Sequence, residues 1–79
     1  MTHSSDKTRE LVAKILRTTA DKLTATSALG DVEHWDSLAQ LMILSALEQE
    51  FGLSIEPEMA VDLNTVGKIC EFVEKHGAV

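Results

Sequence analysis

Ser37 is the residue of this 79-residue chain that most invites a chemical reading. It stands in Asp36-Ser37-Leu38, where an apolar helical pattern begins. A helix N-terminus presents N–H groups without intrahelical partners and the positive end of the helix dipole. A phosphodiester on a serine there would sit in a favourable field. The same residues also fit plain capping. Ser37-Leu38-Ala39-Gln40 reads as a capping box, or Asp36 is the N-cap instead. His34, Asp36 and Ser37 do not make a catalytic triad. Residues this close in sequence can hardly aim nucleophile, base and orienting carboxylate at one another, and no oxyanion hole is identifiable. His3, His34 and His76 are too dispersed for a metal site. Asp31, Glu33 and Asp36 lack the pattern of a calcium loop. Cys70 is the single cysteine, which excludes an internal disulfide, and it reads as a small apolar helix residue.

The elements that must position Ser37 follow from periodicity. Leu11, Val12, Ile15, Leu16 and Thr19 form one apolar stripe, which predicts a first helix over about residues 5 to 21. Ser4 to Asp6 are its N-cap candidates. Residues 23–35 form a long connection broken by Thr24, Thr26, Ser27, Gly30 and Asp31, with Leu23, Leu29 and Val32 as expected core anchors. Trp35 either packs against this loop or meets a partner.

A second helix starts near Ser37 and ends at Gly52. At about 100 degrees per residue, Ile43, Leu44, Leu47 and Phe51 cluster on one face, the expected core face. Leu38, Leu41 and Met42 fall among the polar residues Ser45, Glu48 and Gln49 on the other side. Either another element covers that patch or it is a docking surface, and docking is the favoured reading. Pro57 to Asp62 can form only a short helix, and Ile55 is expected to insert into the core. Asn64 or Thr65 caps a last helix with Val66, Ile69, Cys70 and Val73 as its stripe, Phe72 beside it, and Gly77 at its end. No strand pattern appears. The fold class is all-α: a small four-helix bundle with a short third helix and a long first loop.

Composition narrows the function classes. A chain of this length makes one domain, expected over residues 1–79 with an ordered core of about 5–76. The net charge is −6, and no Lys or Arg occurs between Lys22 and Lys68. Nucleic acid is therefore disfavoured, and a partner with a basic patch is favoured. No apolar run suits a membrane span or a signal peptide, so a cytoplasmic monomer is expected.

From about Leu11 to Val73 the chain resembles the acyl carrier protein family, which includes peptidyl carrier domains. Asp36-Ser37-Leu38 matches the family's modification motif. Leu47-Glu48-Gln49-Glu50-Phe51 matches the end of its second helix, Ile55 and the acidic segment 56–62 its third-helix region, and Leu63-Asn64-Thr65-Val66-Gly67 the turn into its fourth helix. The resemblance implies a freestanding, non-enzymatic carrier. It would bear phosphopantetheine from coenzyme A on Ser37, flanked by Asp36 and Leu38, and hold acyl or aminoacyl groups as thioesters. A phosphopantetheinyl transferase and loading and processing enzymes are the implied partners. Leu38, Leu41, Met42, Glu48, Glu58, Met59 and Val61 are the expected docking residues. Leu29, Ile43, Leu47, Ile55, Ala60, Leu63 and Ile69 match the family's acyl cavity, though core packing explains them equally well.

Fatty-acid carriers usually place Asp after this motif and a further acid one turn on, where this chain has Ala39 and Met42. Many have Leu-Gly ahead of the motif, where Glu33-His34 stands here. These departures suggest a specialised carrier, such as one for a polyketide, a nonribosomal peptide or a cell-surface component, rather than one for housekeeping fatty acid biosynthesis. The alternative is an unmodified helical interaction module that uses the same apolar and acidic face.

Overall fold

Apolar residues at helical spacing build four α-helices among the described residues, 4–76 of the computed structural model. They are α1 (Ser4–Ile15), α2 (Ser37–Phe51), α3 (Pro57–Ala60) and α4 (Val66–His76), with a 3-10 turn at Ala20–Lys22. The described residues form no strand, only an isolated antiparallel bridge between Ala28 and Thr65. The all-α architecture, the short third helix and the long first loop agree with expectation. Gly77, the expected end of α4, lies outside the described residues.

The core is where the helix stripes meet. Val12 of α1 and Leu16 just beyond its end, Ile43 and Leu47 of α2, and Val66, Ile69 and Val73 of α4 are almost fully buried. Burying a side chain of this size contributes roughly 1.5–3 kcal/mol against chain entropy. Cys70 shares the α4 stripe, and burial pushes its thiol pKa up. Thr8 is also buried, one turn before Val12, so the stripe of α1 begins earlier than its apolar residues suggest.

The first helix is shorter than the predicted 5 to 21. It stops at Ile15 because Arg17 adopts a left-handed conformation, φ 61. The Arg17 N–H donates to the Lys14 carbonyl at 3.2 Å, and the Thr18 N–H donates to the Ala13 carbonyl at 2.9 Å. That is a Schellman closure with arginine where glycine is usual. A long-range contact holds the chain beyond it: the Arg9 guanidinium donates to the Ala20 and Leu23 carbonyls at 2.8 and 3.2 Å. Thr19 is consequently exposed and does not continue the stripe. At the other end Ser4 is already helical, so Ser5 and Asp6 are not caps; Asp6 lies in the first turn, where its charge suits the dipole.

The long loop is tied to the start of α4. Val66 and Gly67 donate backbone N–H bonds to the Ser27 and Ala25 carbonyls, both at 2.9 Å, and Leu29 donates to the Asn64 carbonyl at 3.0 Å. Thr65 caps α4, its hydroxyl accepting from the Lys68 N–H. Leu23 is buried and Val32 packs against the core, as expected. Leu29 does not anchor the loop: it is exposed, because its backbone, not its side chain, makes the junction with Asn64.

Gly67 permits this close approach. A Cβ there would stand 2.9 Å from the Ala25 carbonyl oxygen and 3.2 Å from the Ala25 Cβ. Gly67→Ala should therefore cost about 1–3 kcal/mol, the usual range for overpacking, measured by urea unfolding. A neutral result would show that the loop yields freely at this junction.

Candidate functional site

Asp36 fixes where α2 begins. Its backbone is extended, and its carboxylate accepts the Ala39 N–H at 2.9 Å, so Asp36 is the N-cap. Ser37 is thus the first helical residue. Of the two capping schemes open from sequence, the capping box on Ser37 is not formed. Ser37 is exposed, and its hydroxyl is not spent as a cap. Among the described residues, nothing accepts from the Ser37 or Leu38 backbone N–H groups, which face the open end of the helix.

Trp35 sits just before this cap and is buried, which decides its role in favour of packing. Its indole N–H donates to the Gln40 side-chain carbonyl at 2.8 Å. The Gln40 amide nitrogen in turn donates to the Leu63 carbonyl at 2.7 Å. One side chain thus joins the end of the first loop, the first turn of α2 and the approach to α4. Sequence reading missed this role of Gln40. The available signal was the tryptophan, since a buried indole N–H usually requires an acceptor nearby.

Ser37 also stands at one edge of an open groove of about 700 Å³ between α2 and α3. Leu41, Leu44, Ile55, Pro57, Ala60 and Val61 supply most of its apolar wall, with Leu29 at its margin. Of the residues matched to the family's cavity, Leu29, Ile55 and Ala60 line this groove, whereas Ile43, Leu47, Leu63 and Ile69 are buried in the core. Leu38, Leu41, Met42 and Val61 are 68%, 65%, 51% and 71% exposed, so no element of the described chain covers the patch. Glu58 is exposed on α3, and Met59 is half-buried. Glu48 is also half-buried, and its carboxylate accepts the Ile55 N–H at 2.8 Å.

The nearby histidine has a different neighbour. His34 lies 4.0 Å from the Glu33 carboxylate on an exposed turn, with no hydrogen bond to Asp36 or Ser37 among the described residues. The described residues contain no group of three or more His, Cys, Asp or Glu placed to hold a metal ion.

A family model described as the phosphopantetheine attachment site matches residues 6–73. The chain belongs to the phosphopantetheine-binding carrier proteins. Members of this family carry the prosthetic group covalently and act as carriers rather than catalysts. They work with phosphopantetheinyl transferase and with acyl-processing enzymes in general. The carrier's first turn of α2 fits such a group. It offers an exposed hydroxyl, two uncommitted N–H groups to receive a phosphodiester and an adjacent apolar groove. None of the described helices is long and apolar enough to cross a membrane.

The bridge through Gln40 yields a direct test. Gln40→Met keeps the bulk but strands the Trp35 indole N–H and the Leu63 carbonyl. The variant should lose about 1–3 kcal/mol of stability. Trp35 is the one tryptophan, so its fluorescence should report the loss in a urea titration. An unchanged midpoint would mean that water replaces both bonds.

Proposed function

We propose that Ser37 is the phosphopantetheine attachment point of a single carrier domain, and that this carrier serves a specialised pathway rather than housekeeping fatty-acid synthesis. The observation that carries the assignment is the exposed Ser37 hydroxyl on the first turn of α2, beside uncommitted backbone N–H groups. When attached, the arm supplies a thiol on which an acyl or aminoacyl group is held as a thioester.

This chain's own residues have three tasks in that role. Asp36 sets the helix start and so the direction in which the Ser37 side chain leaves it. The backbone N–H groups of Ser37 and Leu38 favour the phosphodiester through local dipoles. Leu38, Leu41, Met42, Met59 and Val61, with the acidic Glu48 and Glu58, form the surface that a loading or processing enzyme would meet.

The apolar weight of that surface supports a specialised partner. The first three turns of α2 contain no charged residue, and Glu48, which opens the fourth, is already bonded to the Ile55 N–H. A partner docking there gains mainly from covering exposed Leu and Met side chains, about 25 cal/mol per Å² of apolar area removed from water before the costs of association.

Intact mass after incubation with coenzyme A and a broad-specificity phosphopantetheinyl transferase tests the attachment. The wild-type chain should gain one phosphopantetheine, and Ser37→Ala should gain none while staying folded. Addition to the Ser37→Ala variant would place the arm elsewhere. No addition to the folded wild type would favour an unmodified interaction module using the same face. A second variant tests the docking surface. Met42→Glu should be loaded at close to the wild-type rate if Met42 serves only the specialised partner. A collapse of loading would assign Met42 to the surface that the transferase itself uses.

A further inference from the structure

Ser37 shares its side of α2 with a row of groove residues. Leu41, Leu44, Ser45 and Glu48 follow it at i+4, i+7, i+8 and i+11, and all of them line the groove between α2 and α3. The groove therefore starts at Ser37 and runs along the helix. Its opposite wall, Ile55, Pro57, Ala60 and Val61, supplies no polar side chain.

The polar side chains that line the groove are Ser37, Gln40, Ser45 and Glu48. All but one have a task. Ser37 is the proposed attachment point. Gln40 is spent on the Trp35 indole and the Leu63 carbonyl. Glu48 accepts the Ile55 N–H through one carboxylate oxygen. Ser45 is exposed, and its hydroxyl bonds to none of the described residues. A serine inside a helix often turns its hydroxyl back to the carbonyl four residues earlier, and Ser45 does not.

The spacing of this hydroxyl suits the arm that Ser37 would carry. Phosphopantetheine has two amides between its phosphate and its thiol. An extended chain advances about 1.1–1.2 Å per bond, which puts the first amide nitrogen roughly 8 Å from the serine oxygen, the second roughly 12–13 Å and the sulfur roughly 16 Å. At about 1.5 Å of rise per residue, Ser45 stands about 12 Å along α2 from Ser37, and Glu48 about 16 Å. Ser45 is thus level with the second amide and Glu48 with the thiol end. Leu41 and Leu44 bracket the first amide and offer it no hydrogen bond from their side chains. An amide laid against apolar walls loses water, and a side chain that replaces the lost hydrogen bond favours that placement.

We propose that Ser45 binds the arm: its hydroxyl accepts a hydrogen bond from the second amide N–H when the arm lies in the groove, and this sets the thiol end beside Glu48. The inference rests on the assignment of Ser37 as the attachment point. It adds a residue that gives the arm a resting direction along α2.

The test uses wild type, Ser45→Ala and Ser45→Thr, each loaded from coenzyme A labelled with nitrogen-15 at both amides. Intact mass should show one phosphopantetheine on all three. Exchange of the two arm amide protons with water is then measured by NMR. In the wild type the second amide should exchange at least about 3-fold more slowly than in free coenzyme A, and the first within about 1.5-fold of it. Ser45→Ala should return the second amide to the free rate with the α2 backbone amides unchanged, a pattern that a purely structural serine would not give. Ser45→Thr keeps a hydroxyl and should keep most of the protection. A second amide that exchanges at the free rate in the loaded wild type, or that stays equally protected in Ser45→Ala, would overturn the proposal and leave the attachment standing. A folded wild-type chain that gains no phosphopantetheine would overturn the attachment and this inference together.

Discussion

A buried indole N–H has to be answered, and much of this structure rests on how Gln40 answers that of Trp35. An unpaired polar group in an apolar interior costs about 1–3 kcal/mol, a large share of what a domain this size has to spare. Gln40 supplies the acceptor and then turns its amide to the Leu63 carbonyl. Three segments distant in sequence are thereby set at one point, a single turn from Ser37. The helix start, the groove and the approach to α4 share that point.

Around it the fold divides into a rigid and a lightly held part. The stripes of α1, α2 and α4 bury one another, and the start of α4 grips the long loop through Ala25, Ser27 and Leu29. On the other side of α2 little is buried. The exposed Leu38, Leu41 and Met42 and the 54–62 segment leave an open apolar surface beside the serine. For a carrier this division is useful. The hydroxyl that bears a prosthetic group needs a fixed origin, whereas the surface around it has to accept successive partners.

The acidic balance of the chain has a local counterpart. No Lys or Arg lies between Lys22 and Lys68, so α2 and α3 contain no cation of their own. Yet the face of α2 next to Ser37 is apolar rather than densely acidic, and Glu48 is partly occupied by Ile55. This face therefore presents more apolar area than charge. Long-range attraction from the net charge of −6 acts chiefly on the rate of encounter.

Local chemistry made much of this legible from sequence. The stripe of α4, the core face of α2 and Gly52 as the left-handed exit of α2 follow from period and side-chain type, and so does a cap at Asn64 or Thr65, of which the structure uses Thr65. So did the position of Ser37 at a helix start, and the family resemblance was carried by ordered short segments. Tertiary structure decided what local pattern leaves degenerate. Arg9 reaches Ala20 and Leu23 and helps end the helical stretch early. Trp35 turns inward because Gln40 receives it. Leu29 stays outside because its backbone is committed to Asn64. Glu48 turns to the backbone because Ile55 returns to it across the turn after Gly52. Each of these outcomes depends on a partner brought near by the packing of other elements, and a periodicity of 3.6 residues contains no record of that partner.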